Sequence, residues 1–368
     1  MYAQRFSRIP ALLSTAQVQA FALNPSPTLT YLSGLSFHVS ERPIVLLLTE
    51  NQPPTMIISE LEIGRARNAQ VSMQFITYND NPATWQKAFT DAVQAVGLQT
   101  AVIGVDSNHF RFLEFNLMQK AAPSARFIPA DQTLEQLRIC KDSNEVSAMR
   151  QAVVIAQQAL QATLPAFRIG VTELDIAREL TYQLLRAGSQ AAGSFSPIVA
   201  FGAHAANGHH TATDTPVSPG DSIVIDWGAL YNGYISDLTR TFVFGDADPE
   251  LKRIANIVMD ANAAGRAAAR PGIAAGVVDH AARDVITHAG YGEYFIHRTG
   301  HGIGMEVHEP PYIFGANEQI LTPGMSFTVE PGIYLPGICG VRIEDNVVIT
   351  PDGADCLSDM PRGLHSVG

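Results

Sequence analysis

The sequence predicts two domains, a smaller α/β domain over residues 1–133 and a larger α+β domain over residues 134–368. At 368 residues the chain is longer than one ordinary hydrophobic core requires. Strand-like and helix-like segments alternate in the first part, whereas helices are grouped between antiparallel-looking strands in the second. These observations together set the fold class.

The first domain is predicted from short β-rich segments that alternate with helical ones. Strands are expected over 44–49, 55–58, 71–76 and 101–105, and helices over 84–96 and 110–119. The region contains no phosphate-binding glycine loop and no cluster of catalytic residue types. We therefore expect it to serve shape, assembly or access to a site elsewhere.

The second domain is expected to begin with helices. Apolar residues at near-helical spacing predict one long helix between 134 and 167, and Thr172 is expected to cap a second. Further along the chain the sequence predicts strands over 198–201, 223–227 and 234–243, alanine-rich helices over 249–269 and 275–289, and then more strands.

Composition excludes several partners. The chain has 35 acidic and 24 basic residues and no Lys/Arg cluster, so a nucleic-acid-binding surface is not expected. The longest apolar stretch, around Ile44–Leu48, is far too short to span a membrane. Three cysteines, an odd number without CxxC spacing, are typical of reduced thiols, and we expect a cytoplasmic protein.

Two aspartates flank a predicted β-hairpin. Asn232-Gly233 is a strong two-residue turn signal, because a type I′ turn needs positive φ at both positions. If the strands pair around this turn, Asp226 lies opposite Thr239, and Asp237 is its diagonal neighbour on the same face. The pair could equally be two solvated strand acids when considered alone.

A glycine-rich segment contains three histidines, His297, His301 and His308. Its glycines at 300, 302 and 304 permit close backbone approach and leave room around His301. The segment completes neither GxGxxG nor HExxH, and the chain has no GxSxG elbow. A single histidine is usually structural, but three within twelve residues beside glycines favour a functional site.

Glu330 and Glu344 lie beside apolar strand-like runs, where acids are rare unless they are paired or bind a cation. Each could be a salt-bridged sheet residue, with Arg342 as the partner of one. With Asp226 and Asp237 they make four carboxylates, which together with one imidazole form the hard-oxygen ligand set of a paired divalent-metal hydrolase. Their combined charge of about −4 would match two divalent cations and predicts metal-linked stability.

At these positions the sequence resembles the pita-bread metallopeptidases, the family of methionine aminopeptidase, prolidase and aminopeptidase P. The Xaa-Pro-cleaving branch is the most similar. The matching motifs are Ile225-Asp226-Trp-Gly-Ala, Ser236-Asp237-Leu-Thr-Arg-Thr, His297-Arg-Thr-Gly-His301-Gly-Ile-Gly, Glu306-Val-His308-Glu, Val329-Glu330-Pro-Gly-Ile-Tyr and Val341-Arg342-Ile-Glu344-Asp. The resemblance implies a pita-bread catalytic domain preceded by a creatinase-like N-terminal domain, for which Tyr31-Leu-Ser-Gly34 is a weaker signal.

The resemblance also implies roles for these residues. Asp226 would bind one ion, Asp237 and Glu344 would bridge two ions, and His301 and Glu330 would complete the second. The two divalent ions per chain would be manganese, cobalt or zinc. His209, which precedes Thr213-Asp214 as in the family, would line the substrate pocket with His297 and His308, and Arg342 would lie behind the ligands or near the substrate. Glu330 would accept and deliver the proton, while His308 and His297 would stabilise the tetrahedral intermediate or the leaving nitrogen.

The implied function is hydrolysis of Xaa-Pro bonds by a metal-activated hydroxide, most simply as a homodimeric Xaa-Pro dipeptidase acting on a proline-containing dipeptide or short peptide. Two residues depart from the branch: Gly208 replaces a usual proline before His209, and Tyr312 stands where some dipeptidases carry an arginine for the substrate carboxylate. The alternatives are an Xaa-Pro aminopeptidase acting on longer peptides, a non-hydrolytic binding protein and a creatinase-like amidinohydrolase.

Overall fold

In the computed structural model, which describes residues 2–368, the chain divides after Arg138. The sequence places this division slightly earlier, after residue 133. The intervening residues stay with the first unit because the Arg8 guanidinium donates hydrogen bonds to the carbonyl oxygens of Gln136 and Leu137, at 2.5 and 2.9 Å.

The first unit is a mixed sheet with helices, as predicted. Its helices are α1 (Tyr2–Phe6), α2 (Ile9–Ala16), α3 (Pro27–Ser33), α4 (Ile63–Ala66), α5 (Trp85–Ala95), α6 (Phe112–Ala121) and α7 (Asp131–Glu135). Its strands are β1 (Ala20–Leu23), β2 (Val45–Thr49), β3 (Thr55–Ser59), β4 (Gln74–Tyr78), β5 (Val102–Val105) and β6 (Arg126–Pro129), in the sheet order β4-β3-β2-β1-β5-β6.

The sequence does not predict β1, one of the two central strands of this sheet. All four of its residues are buried, so the strand has no alternation of apolar and polar residues. It pairs antiparallel with β2 and parallel with β5, partners that only the folded chain brings beside it. The predicted strand at 71–76 is shifted and runs as β4 from Gln74 to Tyr78.

The second unit contains two helix pairs and several small sheets. Its helices are α8 (Ser143–Thr163), α9 (Glu173–Ala187), α10 (Pro249–Ala268) and α11 (Ala275–His288). Its strands are β7 (Ile198–Phe201), β8 (Ser222–Trp227), β9 (Leu230–Tyr231), β10 (Tyr234–Ile235), β11 (Leu238–Phe244), β12 (Gly300–Gly302), β13 (Glu309–Ile313), β14 (Ser326–Val329), β15 (Gly332–Leu335), β16 (Cys339–Arg342), β17 (Asp345–Thr350), β18 (Gly353–Cys356) and β19 (His365–Val367). In the part of the chain that the structure describes, the short 3₁₀ helices are Glu60–Glu62, Pro82–Thr84, Leu164–Ala166, Gly202–Ala206 and Gly292–Tyr294.

The start of the first long helix differs from the prediction. The sequence predicts a helix from about residue 134, but α8 begins only at Ser143. The Asp142 carboxylate accepts hydrogen bonds from the amides of Asn144 and Glu145, while Glu145 accepts one from the Asp142 amide, which makes a capping box. This local cap determines where the helix begins. The predicted cap at Thr172 is confirmed.

The strands of the second unit form two main sheets, in the orders β19-β11-β8-β7 and β13-β12-β14-β17-β18. The first sheet packs against α8, where the Trp227 indole donates to the Ala156 carbonyl at 2.8 Å. An isolated antiparallel bridge between Thr239 and Glu344 connects the start of β11 to the residue before β17, so the two sheets meet at these strand ends. The candidate site is built at this junction.

No helix within residues 2–368 has both the length and the apolar character needed to cross a bilayer.

Candidate metal centre

The predicted hairpin brings the two aspartates together. Asn232 and Gly233 have φ of 49° and 80°, Tyr231 pairs with Tyr234, and Asp226 pairs with Thr239, so the predicted register is confirmed. Asp237 lies just before β11, and its backbone exchanges two hydrogen bonds with the Asn346 amide group, at 3.1 and 2.6 Å. Both aspartate side chains are buried.

His301 enters from β12, where glycines allow close packing. A Cβ atom on Gly300 would lie 1.9 Å from the Thr328 carbonyl oxygen, so only glycine permits this approach of the strands. The His301 Nδ1 atom donates to the Gly302 carbonyl at 3.1 Å, which leaves the lone pair on Nε2. Burial, followed by the charge of His308, lowers the pKa of His301 to about 3, so the ring is a neutral potential ligand.

The two glutamates complete the cluster from other strand ends. Glu330 follows β14, and its Oε1 lies 3.3 Å from His301 Nε2. Glu344 precedes β17 and accepts a 2.7 Å hydrogen bond from the Thr239 hydroxyl. Asp237, His301 and Glu344 each offer a ligand atom within 4.8 Å of the others, a group able to hold a metal ion.

The unpaired oxygens of the cluster fit a cation. Among the described residues, the buried Asp226 Oδ1 and Asp237 Oδ1 have no hydrogen-bond partner. A buried acceptor without a partner is costly, and a bound cation removes that cost. Five oxygen and nitrogen donors of this kind suit divalent metals that accept carboxylate and imidazole ligands.

Without a bound cation, the environment of the cluster favours the neutral, protonated form of its carboxyl groups. Burial raises the pKa of Asp237 well above its usual value, and the neighbouring carboxylates of Glu344, Asp226 and Glu330 raise it further. The pKa of Glu344 shifts in the same way, and burial raises that of Glu330 to about 7 although Arg342 opposes the shift. Divalent cations would reverse these shifts by neutralising the carboxylates.

Arg342 pairs with a different acid from the one expected. The sequence offers Arg342 as a salt-bridge partner for Glu330 or Glu344, but its guanidinium donates to Asp226 Oδ2 at 2.5 Å. The same side chain donates to Thr239 Oγ1 at 3.0 Å and to the Tyr334 hydroxyl at 3.1 Å. Arg342 therefore orients one oxygen of Asp226 and leaves the other available.

His297 is connected to Arg342 through Tyr334. The Nδ1 atom of His297 donates to the Arg298 carbonyl at 2.7 Å, so Nε2 accepts the hydrogen bond from the Tyr334 hydroxyl at 2.8 Å. Burial, with the charge of Arg342, lowers the pKa of His297 to about 4 and keeps it neutral. The segment that holds His297 is fixed by Arg283, which donates to the His297 carbonyl at 2.7 Å.

The predicted site residues line one cavity of about 800 Å³. Its walls include all nine of them: His209, Asp226, Asp237, His297, His301, His308, Glu330, Arg342 and Glu344. His209 and His308 are at its exposed side, and the His308 ring meets that of His301 edge-on with centroids 4.2 Å apart. Four apolar side chains, Phe195, Ile198, Ile296 and Val307, line the same cavity. The cavity therefore combines a cluster of potential metal ligands with apolar surface.

Several residues that shape the site have no role predicted from the sequence. Tyr334 lies within the Val329–Tyr334 motif, yet its hydrogen bonds to His297 and Arg342 depend on the fold. Arg298, which follows His297 in its motif, lines the cavity, and its guanidinium lies 4.5 Å from the centroid of the Tyr312 ring. Asn346, which holds the backbone of Asp237, directly follows the motif that ends at Asp345.

Comparisons with known proteins give concordant matches. The model of metallopeptidase family M24 matches residues 147–351, and that of the creatinase/prolidase N-terminal domain matches residues 5–140. The chain is 36% identical over 349 residues to an Xaa-Pro dipeptidase of Lactobacillus helveticus, covering 95% of this chain and 94% of the relative. Among solved structures, a Thermococcus sibiricus prolidase matches with a TM-score of 0.94 at 32% identity, covering 100% of this chain and 99% of that one. An Xaa-Pro dipeptidase from Bacillus anthracis matches with a TM-score of 0.92 at 30% identity, covering 100% of both chains.

Proposed function

The chain belongs to metallopeptidase family M24, and from this premise we propose that it is a dinuclear-metal-dependent Xaa-Pro dipeptidase. The family assignment agrees with the resemblance to the pita-bread metallopeptidases drawn from the motifs. The observation that carries the proposal is a cluster of four carboxylates and one neutral imidazole on a cavity wall, buried except for the partly exposed Glu330, with unpaired oxygens on Asp226 and Asp237.

We assign the ligands as the resemblance implies. Asp226 would hold one ion, His301 and Glu330 would hold the second, and Asp237 and Glu344 would serve both. When bound, such cations would acidify a water molecule and polarise a carbonyl oxygen. Manganese, cobalt and zinc all accept this mixture of carboxylate and imidazole donors.

Glu330 manages the proton during hydrolysis. Its carboxylate lies beside His301 Nε2 and accepts a 3.3 Å hydrogen bond from the Thr328 hydroxyl. We propose that Glu330 takes the proton of the attacking water and delivers it to the leaving nitrogen.

The histidines of the cavity wall contact the substrate. Within residues 2–368, the side chains of His209 and His308 have no hydrogen-bond partner in the structure, so their ring nitrogens are available to a peptide carbonyl or to the leaving nitrogen. His297 already accepts a hydrogen bond from the Tyr334 hydroxyl. We propose that His297 binds substrate together with that phenol.

Apolar side chains of the cavity wall suit a proline ring. Phe195, Ile198, Ile296 and Val307 line the same cavity as the acidic cluster. An Xaa-Pro bond has a tertiary amide nitrogen without an N–H, so recognition depends on ring shape rather than on a backbone hydrogen bond. An apolar wall beside the metal ligands meets this requirement.

Arg298 provides a cation for the carboxylate of a dipeptide. The family position at Tyr312 lacks the arginine that some dipeptidases carry, which weakens the sequence argument for dipeptides. In the structure, Arg298 lines the cavity and its guanidinium stacks on the Tyr312 ring. Arg298 therefore supplies a guanidinium beside the position where those dipeptidases carry their arginine. With the relatives named as dipeptidases, this favours a dipeptide over a longer peptide.

One experiment separates the candidate functions. Metal content is measured together with hydrolysis of Ala-Pro, Ala-Pro-Ala and creatine. A dipeptidase contains two ions per chain and prefers Ala-Pro, whereas faster cleavage of Ala-Pro-Ala identifies the aminopeptidase alternative. Metal-independent hydrolysis of creatine identifies an amidinohydrolase, and no hydrolysis of the three compounds by the metal-loaded protein favours a binding protein.

We also propose a cytoplasmic homodimer. The three cysteines are unpaired, as expected for a reducing compartment. Dimerisation follows from the family resemblance alone. Light scattering at micromolar concentration is the test, and the mass of a single chain would exclude the dimer under those conditions.

A further inference from the structure

A buried carboxylate outside the cavity collects an unusual number of donors. Glu173, the first residue of α9, is 0% exposed. Its Oε1 accepts hydrogen bonds from the Phe201 amide and His204 Nδ1, both at 2.9 Å. Its Oε2 accepts from His210 Nε2 at 2.8 Å, and from the amide and hydroxyl of Thr213 at 2.9 and 2.7 Å.

These donors lie at both ends of one loop. Phe201 is the last residue of β7, and Thr213 lies at the other end of the loop formed by residues 202–212. Because the amides of both residues donate to the Glu173 carboxylate, this side chain connects the two ends of the loop. The first amides of α9 strengthen the closure, because Glu173 N donates to the Thr215 carbonyl and Leu174 N to the Thr213 carbonyl. The tip of this loop contains Gly208 and His209, which line the cavity.

The cavity side of the loop is held separately. Arg342 donates to the Gly208 carbonyl at 3.2 Å, and Gly340 packs so closely that a Cβ atom there would lie 1.8 Å from the Ala205 carbonyl oxygen. The loop therefore lies between Glu173 on one side and β16 on the other. Removing the Glu173 contacts would free the ends of the loop but leave the metal ligands on their own strands.

The cluster of Glu173, His204 and His210 has the composition of a metal site, but its bonding differs from one. Each carboxylate oxygen already accepts at least two hydrogen bonds, and the N···O separations of 2.8 and 2.9 Å are those of direct hydrogen bonds. Both carboxylate oxygens are fully used by protein donors. The cluster is therefore complete without an ion.

We propose that Glu173 is a positioning residue for the substrate-binding loop, and that its carboxylate holds residues 202–212 so that His209 faces the substrate. The inference rests on the role proposed above for His209. Glu173 touches neither the cavity nor the ligands, so it acts only through the loop.

The test combines Glu173→Gln with His209→Ala. A glutamine replaces one of the two carboxylate oxygens by an NH₂ group, which cannot accept a hydrogen bond. The backbone amide that donated to that oxygen, of either Phe201 or Thr213, then loses its acceptor. We expect Glu173→Gln to lower kcat/KM for Ala-Pro by about tenfold or more, with two metal ions per chain retained. In the His209→Ala background the same change should cost less than about twofold, because both changes remove the same interaction. Additive effects in the double variant would overturn the proposal.

A second measurement does not depend on activity. Hydrogen exchange should become faster at the amides of residues 201–213 in Glu173→Gln, while β8 and β11 keep wild-type protection. Thr213→Val, which removes one hydroxyl donor and retains the shape, should give a smaller change in the same direction. If the wild type fails to cleave Ala-Pro, the proposed function fails, and the exchange pattern still decides the role of Glu173.

The controls separate positioning from other roles. Glu179→Gln alters a carboxylate on the same helix that, within residues 2–368, accepts a side-chain hydrogen bond only from Gln183, at 2.7 Å, and the change should leave exchange and kinetics unchanged. Loss of one metal ion per chain in Glu173→Gln would identify a metal site and contradict the proposal. Unchanged exchange at residues 201–213 would contradict it as well.

Discussion

Arg342 and Asp226, which are 116 residues apart in the sequence, form a buried ion pair in which a guanidinium N–H donates to Asp226 Oδ2 at 2.5 Å. The other oxygen of Asp226 is buried without a hydrogen-bond partner. The pair thus fixes the orientation of a metal ligand and directs its unpaired oxygen towards the cation site.

Arg342→Lys should weaken metal binding and activity together. A lysine cannot reproduce the planar fork that reaches Asp226, Thr239 and Tyr334 at once. Loss of a residue that orients a ligand typically costs about 10–100-fold in metal affinity or activity. Titration of the metal-free protein with Mn²⁺ and measurement of kcat/KM provide the test, and wild-type values for both would refute the orienting role.

Asp237→Asn should abolish hydrolysis and occupancy by two ions. Asp237 is a proposed bridging ligand, and an amide can neither bridge two cations nor neutralise their charge. We expect at most one tightly bound ion per chain by elemental analysis and no turnover above background. Asp352→Asn, at an exposed turn, is the matched control and should behave as wild type. Turnover at the wild-type rate in Asp237→Asn would rule out the bridging assignment.

His301→Ala and His308→Ala should separate metal binding from substrate binding. His301 presents a neutral Nε2 to the acidic cluster, so its loss should reduce the metal content. His308 is at the exposed side of the cavity, and its loss should lower kcat about 10²–10³-fold while both ions stay bound. Elemental analysis of the two variants decides the matter, and metal loss from His308→Ala would mean that a ligand was misassigned.

Arg298→Met should raise KM for a dipeptide selectively. If Arg298 binds the substrate carboxylate, its loss removes a charge-assisted hydrogen bond worth about 1.5–3 kcal/mol. We expect KM for Ala-Pro to rise at least about tenfold, and KM for Ala-Pro amide, which lacks the carboxylate, to change little. Arg270→Met removes an exposed arginine outside the cavity and serves as the control. Equal effects on the two substrates would exclude carboxylate recognition.

Asp279→Asn should destabilise the protein in a pH-dependent manner. Burial would raise the pKa of Asp279, but hydrogen bonds from Arg283 and Thr299 outweigh burial and hold it below the usual 3.8. A carboxyl group whose pKa is lower in the folded state than in the unfolded state stabilises the fold at any pH above its unfolded-state pKa. This stabilisation is lost as the pH falls through its folded-state pKa. The difference in unfolding free energy between wild type and variant, about 1–3 kcal/mol at pH 7, should therefore shrink below about pH 4. Urea unfolding of the metal-free proteins measures it, and a constant difference would count against the assignment.

Much of the fold could be predicted because its signals are local. The Asn232-Gly233 turn fixes the register that places Asp226 opposite Thr239, and Thr172 caps α9 as expected. The missed features depend on other parts of the chain. Strand β1 is a buried run of four residues, and the start of α8 follows from a capping box that overrides an apolar pattern running through residues 134–142.

The sequence by itself determined the composition of the candidate centre, four carboxylates and the histidines near them, because residue type and strand periodicity are local properties. Only the tertiary structure decided their partners. Arg342 meets Asp226 rather than a nearby glutamate, Tyr334 links His297 to Arg342, and Glu173 closes the loop that carries His209. Such contacts arise when buried polar groups from distant segments satisfy one another, and no local pattern in the chain encodes which groups will meet.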